Sequence, residues 1–529
     1  MNQTFDLTTL RWEKKISKFL EKGIVFIQSC YVFILAVVFP LYMTQAGYSS
    51  VGTDKYHFFR LVTFVFVVVT GVLIFLRWIY TGKGISFRFN VTAKAVLLFL
   101  LIATVSWFFS SNRDVAWSGG RGWFIGLETI LFLVLIYVFI GQLLLYRDSL
   151  WLFFLLGSGI AFFIGVLNRF GFYVFEFEHM SPYFISTLGN INWVSGYFSV
   201  MWPIGVGLYI FSEKKYIRCV AGVYTFLAMC LGIVQGSDSA FISFFAVFFL
   251  LLVICLRKWE KYGVLFLEVI IGWCLACQLM RFFRGMFGNF TYGENEISGF
   301  LTSSSFSIYI LLVVLVPYLL MRIEVDFLMK FREHFVHIIT SGVFKKVVIF
   351  SPVVMFLLLV FTIIINTMTV SGIFGLNDST FFVFNDDWGN GRGLNFRIGV
   401  ELFGRMNLFQ KLIGIGPDSF SVYLCRFPEL QALSNARFGG QVLMNAHNEM
   451  LTALVNVGIL GTVAFYGFFI SFFIRFMKKG EVDAGLYVPA VCVFSYLLHN
   501  IVSFGQILNL PFIFIIMGIG ESKFVKKCG

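Results

Sequence analysis

Long apolar runs alternate with short polar segments along the whole chain. The runs fall near 24–43, 58–78, 95–110, 127–145, 150–167, 193–211, 218–235, 240–256, 263–280, 301–321, 347–368, 450–474, 485–503 and 507–520. A run of about 20 apolar residues crosses a bilayer as a helix. These runs lack the period-two alternation of a membrane β-barrel. The pattern therefore predicts an all-α polytopic membrane helix bundle of about fourteen spans. It divides the chain into spans one to eleven (1–370), a large extracytoplasmic loop (371–449) and spans twelve to fourteen (450–529).

Composition agrees with that reading. Of 529 residues, 59% are hydrophobic and only 13% are charged, where a soluble domain carries about 25% charged residues. The net charge of +12 raises nucleic acid as a partner, but the basic residues lie in short clusters between apolar runs. With fourteen spans, 27 of the 40 Lys and Arg fall on the side of both termini and 13 on the other. The positive-inside rule then puts both termini in the cytoplasm. The N-terminus is polar and charged through Lys22, which predicts no cleavable signal peptide. Segment 322–346 is basic and part apolar, and reads either as an interfacial helix on anionic lipid or as a solvated linker. The pair Cys274 and Cys277 lies mid-span and reads as packing rather than a metal or redox site. No disulfide framework is expected.

Residues 371–449 form a connection far longer than ordinary loops, which marks it as functional or disordered. Trp388 and many Phe and Leu residues speak for folding. Phe396, Val400, Phe403 and Met406 recur at helical spacing, and Pro417 is placed to start another helix. The loop is expected to fold as short helices over the outer mouth of the bundle.

Several side chains there carry candidate chemistry. His447, in "NAHNEML", falls in the first turn of span twelve with Asn445 as the expected N-cap. The helix dipole disfavours its protonation, so it reads as a neutral general base or, more plainly, as a hydrogen bonder at headgroup level. Arg392 and Arg397 lie in "NGRGLNFRIG". The planar guanidinium suits a diphosphate, while a solvated or lipid-facing charge is the plainer alternative, above all for Arg392 among its glycines. Asp386 and Asp387 read as a polar turn rather than a metal site. Arg121 and Lys55 are further outer-face cations. Asp238 reads as a helix cap, and Glu268, well inside a span, is a functional candidate without an evident partner.

Taken together, these segments resemble the O-antigen ligase and O-antigen polymerase superfamily of bacterial membrane glycosyltransferases. "AHNEMLTALVNVGILGTVAFYGFF" resembles its C-terminal signature, with His447, Asn448, Leu451, Gly458 and Gly461. "FRIGVELFGRMNLFQKLIGIGPDSF" is similar to the element before it, with Arg397, Gly414, Gly416 and Phe420. "GNINWVSGYF" and "GGRGWFIGLET" match weaker patterns, at Gly189, Asn190 and Asn192 and at Arg121 and Gly126. Order and spacing fit from about residue 110 to the C-terminus. One departure stands out: Ser237, Asp238, Ser239 and Ala240 replace the Ser-Arg-Gly-Ala of many members. Either another arginine substitutes or the substrate is held differently.

The resemblance implies a glycosyltransferase C-type-like bundle at the outer face of the bacterial cytoplasmic membrane. It implies an undecaprenyl- or other polyprenyl-diphosphate-linked glycan donor and a glycan or glycolipid acceptor, with no metal, cofactor or soluble nucleotide sugar. His447 would be catalytic. Arg397, Arg121 and Arg392 would bind the diphosphate, supported by Asn448, Asn445, Gly414 and Gly416. A surface polysaccharide polymerase or ligase would work beside a flippase and a chain-length regulator. The competing readings are a lipid-linked sugar flippase or transporter and a structural envelope protein. A transporter carries ionisable residues or broken helices near the midplane, and this chain places little there beyond Glu268.

Topology is directly testable. Reporter fusions within 371–449 should report the outer side, and fusions at Lys330 or Lys526 the cytoplasm. A cytoplasmic 371–449 segment would put His447 on the wrong side of the membrane for this chemistry.

Overall fold

The computed structural model describes residues 2–82, 84–120, 122–175, 181, 183–288, 295–322, 324–368 and 382–525. Its architecture is all-α. Among the described residues, one small antiparallel pair, Phe184–Ile185 with Gly189–Asn190, is the only sheet. Ten described helices are long and apolar enough to cross a membrane. The count is eleven if Glu296–Ser303 and Phe306–Arg322, bent by 63° at the break between them, form one span. Three shorter apolar helices, Leu127–Leu143, Tyr487–His499 and Leu510–Val525, stand where the other three runs lie.

The helix Ile191–Phe211 is the central pillar, with 94% of its apolar window buried. Trp202, Tyr197 and Phe198 fill the space around it. Gly342–Met368 buries none of its window, so its hydrophobicity serves lipid contact rather than packing. Segment 322–346 contains the helix Asp326–Thr340. Glu268 does have partners: Arg322 at 2.5 Å and the Tyr209 hydroxyl at 2.7 Å. An acid inside a span needs such compensation. Cys274 and Cys277 are buried packing residues.

The described part of the long 371–449 connection folds as helices Trp388–Gly404, Leu408–Ile413, Phe420–Leu424 and Pro428–Arg437. Asn407 and Gln410 form a capping box on the second. The helix expected from Phe396, Val400, Phe403 and Met406 is present as Trp388–Gly404, but only part of the expected face is buried: Met406 and Phe403 meet the core and Val400 does not. Leu394, Ile398, Leu402 and Met406 enter a separate small core, while Val400 is exposed. The helix offers two apolar stripes at i,i+4 spacing, and docking of the loop selects one. Pro417 sits in a turn, and the next helix starts only at Phe420.

This small core is fixed to the bundle by a break in the helix Glu449–Gly480. Gly458 has φ 68° and ψ −175°, which interrupts the i→i−4 ladder. The carbonyls of Val455 and Asn456 accept instead from the amides of Ile415 and Gly416, at 3.1 and 3.0 Å. The Ser106 hydroxyl donates to the same Asn456 carbonyl at 3.0 Å. A Cβ on Gly458 would lie 2.5 Å from the Gly414 nitrogen, and one on Gly414 would lie 2.2 Å from the Asn456 oxygen. Glycine at both positions is therefore required by contact as well as by φ.

Gly458→Ala should destabilise the protein by about 1–3 kcal/mol from backbone strain alone, plus the cost of separating the two backbones. Thermal unfolding of the purified protein in detergent would show it as a lowered midpoint. An alanine variant as stable as the parent would mean the two segments do not meet there.

Candidate active site

His447 lies before the helix rather than in its first turn. Asn448 is the N-cap: its Oδ1 accepts from the Leu451 amide at 2.9 Å, and its Nδ2 donates to the Ile501 carbonyl at 2.8 Å. The expected N-cap, Asn445, has another task. Its buried Oδ1 accepts from the His447 amide at 2.9 Å. That tight turn places His447 at φ 50°, a conformation rare outside glycine and asparagine. The side chain is thereby swung off the helix axis. Its ring meets the edge of Phe504 at 5.0 Å between centroids, and its Nδ1 is 3.3 Å from Asn395 Nδ2.

The surroundings of His447 disfavour its charged form. Burial, and then the charge of Arg392, push its pKa down to about 4. The contact through Asn445 opposes this only in part.

Arg392 reaches this point because Gly389, Asn390 and Gly391 form a left-handed turn at the start of their helix. Its Nε donates to the Val502 carbonyl at 3.1 Å and its Nη1 to Gly389 O at 3.0 Å. Among the described residues, Nη2 makes no hydrogen bond. Burial lowers the guanidinium pKa, and the charge of Asp238 counters it. The charge of Arg392 also reaches His499. A chain of side chains runs on from there. His499 Nε2 lies 3.4 Å from Ser195 Oγ, and Ser195 Oγ lies 2.8 Å from Ser239 Oγ. Ser239 and Ser237 are 2.9 Å apart, and Ser237 donates to Asn192 Oδ1 at 2.9 Å. The Ser-Asp-Ser departure and the Gly-Asn-x-Asn element thus meet in one network.

The other sequence candidates are placed as follows. Arg397 is exposed at the rim and pairs with Asp386 at 2.6 Å. Asp387 pairs instead with Arg437 at 3.3 Å, so the two adjacent carboxylates diverge. Among the described residues, no cluster of His, Cys, Asp and Glu could hold a metal. Arg121 lies outside the described residues. Lys55 is fully buried rather than free to meet a ligand, donating to the carbonyls of Phe39, Pro40 and Tyr42 at 2.9, 3.1 and 2.9 Å. Asp238 holds the N-cap position of Ser239–Arg257 without a side-chain cap bond. Gly414 and Gly416 act through the backbone docking described above.

Sequence reasoning passed over Asn395, His499 and Asp418. His499 carried a signal: His499-Asn500 repeats the His447-Asn448 pair. Asp418 ties the early outer segment to the late one, because its Oδ2 accepts from the amides of Gly120 and Ile125 at 2.8 and 3.0 Å. Comparison with models of known protein families finds none that matches the chain, and no curated protein matches it.

His447 should also register in stability. Its folded pKa of about 4 lies below the ordinary value of about 6.5, so the unfolded state takes up the proton first. Its contribution is present above pH ~6.5 and is lost as pH falls through about 4. Unfolding midpoints measured from pH 8 to pH 4 should fall less steeply for His447→Gln than for the parent. Parallel curves would show that the imidazole is not buried in its neutral form.

Proposed function

We propose that the protein transfers a glycan from a polyprenyl-diphosphate-linked donor to a sugar hydroxyl acceptor. It would do so at the outer face of the bacterial cytoplasmic membrane, as a surface polysaccharide polymerase or ligase. The observation that carries this reading is the pairing of a neutral His447 with Arg392. The two are fixed on separate segments, at a helix start covered by the folded loop.

The chemistry is self-consistent. The donor already carries a good leaving group. The acceptor oxygen attacks the anomeric carbon and gives its proton to His447 Nε2. The bond from that carbon to the diphosphate oxygen breaks, and its electron pair leaves with the diphosphate. Attack opposite the leaving group inverts the anomeric configuration. Arg392, through Nη2, stabilises the charge gathering on the diphosphate. Arg397 would add a second guanidinium at the rim after exchanging Asp386 for phosphate.

Base action at Nε2 requires the ring proton on Nδ1, and so an acceptor opposite Nδ1. Asn395 is the neighbour, and its Oδ1 is buried without a partner. Turning the amide about its own plane presents Oδ1 to Nδ1–H and frees the Nε2 lone pair. The orientation of Asn395 thus sets the working tautomer.

A transporter reading needs an available ionisable group inside the bundle. Glu268, the acid singled out inside a span, is held by Arg322 and Tyr209 and so is not such a group.

His447→Ala should lower turnover about 10²–10⁴-fold, or roughly 3–5 kcal/mol, with the protein still folded and monodisperse. Arg392→Lys and Arg397→Lys keep the charge but lose the fork, and should reduce turnover, Arg392→Lys more. Purified protein with a lipid-linked donor would be assayed by product formation. Parental rates in His447→Ala would remove the general-base role.

A further inference from the structure

Beside His447 lies a cavity of about 70 Å³, with Phe504 as one of its walls. Its deeper walls are aromatic: Phe99, Phe465 and Phe514. Yet Asp418, Glu449 and Asn456 also line it, and among the described residues no Lys, Arg or His does. The carboxylates are only half used by the protein. Asp418 spends Oδ2 on the amides of Gly120 and Ile125, and Glu449 spends Oε2 on the Gly505 amide. Among the described residues, the second oxygen of each makes no hydrogen bond. The two carboxylates also feel one another's charge. Asn456 is the independent sign of a missing occupant. It is only 8% exposed, lines the cavity, and its Oδ1 has no partner. A buried acceptor left unpaired is costly.

We propose that this cavity binds a monovalent cation, with Asp418, Glu449 and Asn456 supplying the oxygens. An inorganic ion or a primary ammonium group satisfies the same chemistry. A neutral apolar occupant leaves all three acceptors unpaired, and an anion is repelled. The assignment does not depend on the glycosyl-transfer reading, because it rests on a separate set of side chains and is read out by binding rather than activity.

The test is thermal unfolding of the purified full-length protein in detergent at pH 8. Burial pushes Asp418 to about 7, so its carboxylate is ionised there. NaCl, KCl and methylammonium chloride would each be titrated against choline chloride at constant ionic strength. Choline is too bulky for the cavity and serves as the control. The expected result is a saturable rise in the midpoint with at least one of the three. Sodium or potassium as the active ion marks an inorganic site, and methylammonium alone marks an ammonium site. Asp418→Asn keeps an amide oxygen for Gly120 and Ile125, so it should fold yet lose the response. Asn456→Leu leaves the backbone carbonyl in place and should weaken it. Should Asp418→Asn fail to fold, Glu449→Gln reads the same outcome, since it retains an acceptor for Gly505. Identical midpoints in all four salts would overturn the proposal, and so would a response that persists in Asp418→Asn or Glu449→Gln.

Discussion

Two backbone hydrogen bonds organise the end of the bundle that carries His447. A transmembrane helix hides its polar groups by bonding them to itself, since lipid offers no alternative. The Glu449–Gly480 helix breaks that economy at Gly458 and gives two carbonyls away. The amides of Ile415 and Gly416 take them. A long connection that would otherwise sit loosely over the bundle is thereby bonded to its interior. The small core of Leu394, Ile398, Leu402 and Phe420 follows from that anchoring. So does the placement of Asn395 against His447.

The environment of the histidine follows from the same docking. Asn395 and Phe504 pack against the ring, and the positive charge of Arg392 acts on it. Both effects disfavour the imidazolium, so the imidazole keeps its lone pair. An anion placed against Arg392 would partly reverse the effect and raise the basicity of the ring.

The opposite end of the bundle is fixed by different means. Glu521 is buried and meets Arg475 at 2.6 Å, Tyr137 at 3.0 Å and Asn90 at 3.1 Å. Such a network joins four segments that are far apart in sequence. A buried ion pair with its remaining lone pairs satisfied is tolerated where an isolated charge is not. The bundle is thus held at one end by ion pairing and at the other by backbone exchange.

The sequence by itself determined the class of the fold, because runs of apolar residues long enough for a bilayer have few other places to go. It also marked the long loop as folded, and it singled out His447, Asn448, Gly414 and Gly458. Those positions were visible because a histidine at the head of an apolar run, and glycines at fixed intervals, are local signals. The tertiary structure alone decided the rest. It chose Asn448 over Asn445 as the cap, because the turn that presents His447 uses Asn445. It chose which stripe of Trp388–Gly404 to bury, since both stripes have helical period. It drew Arg392 inward and left Arg397 at the rim, although both stand in the same polar stretch. It also withdrew Lys55 from the surface, joined His499 to Asn192 and gathered Asp418, Glu449 and Asn456 around one cavity. Each of these depends on segments distant in the chain meeting in space. The pattern of one segment carries no record of which others it will touch.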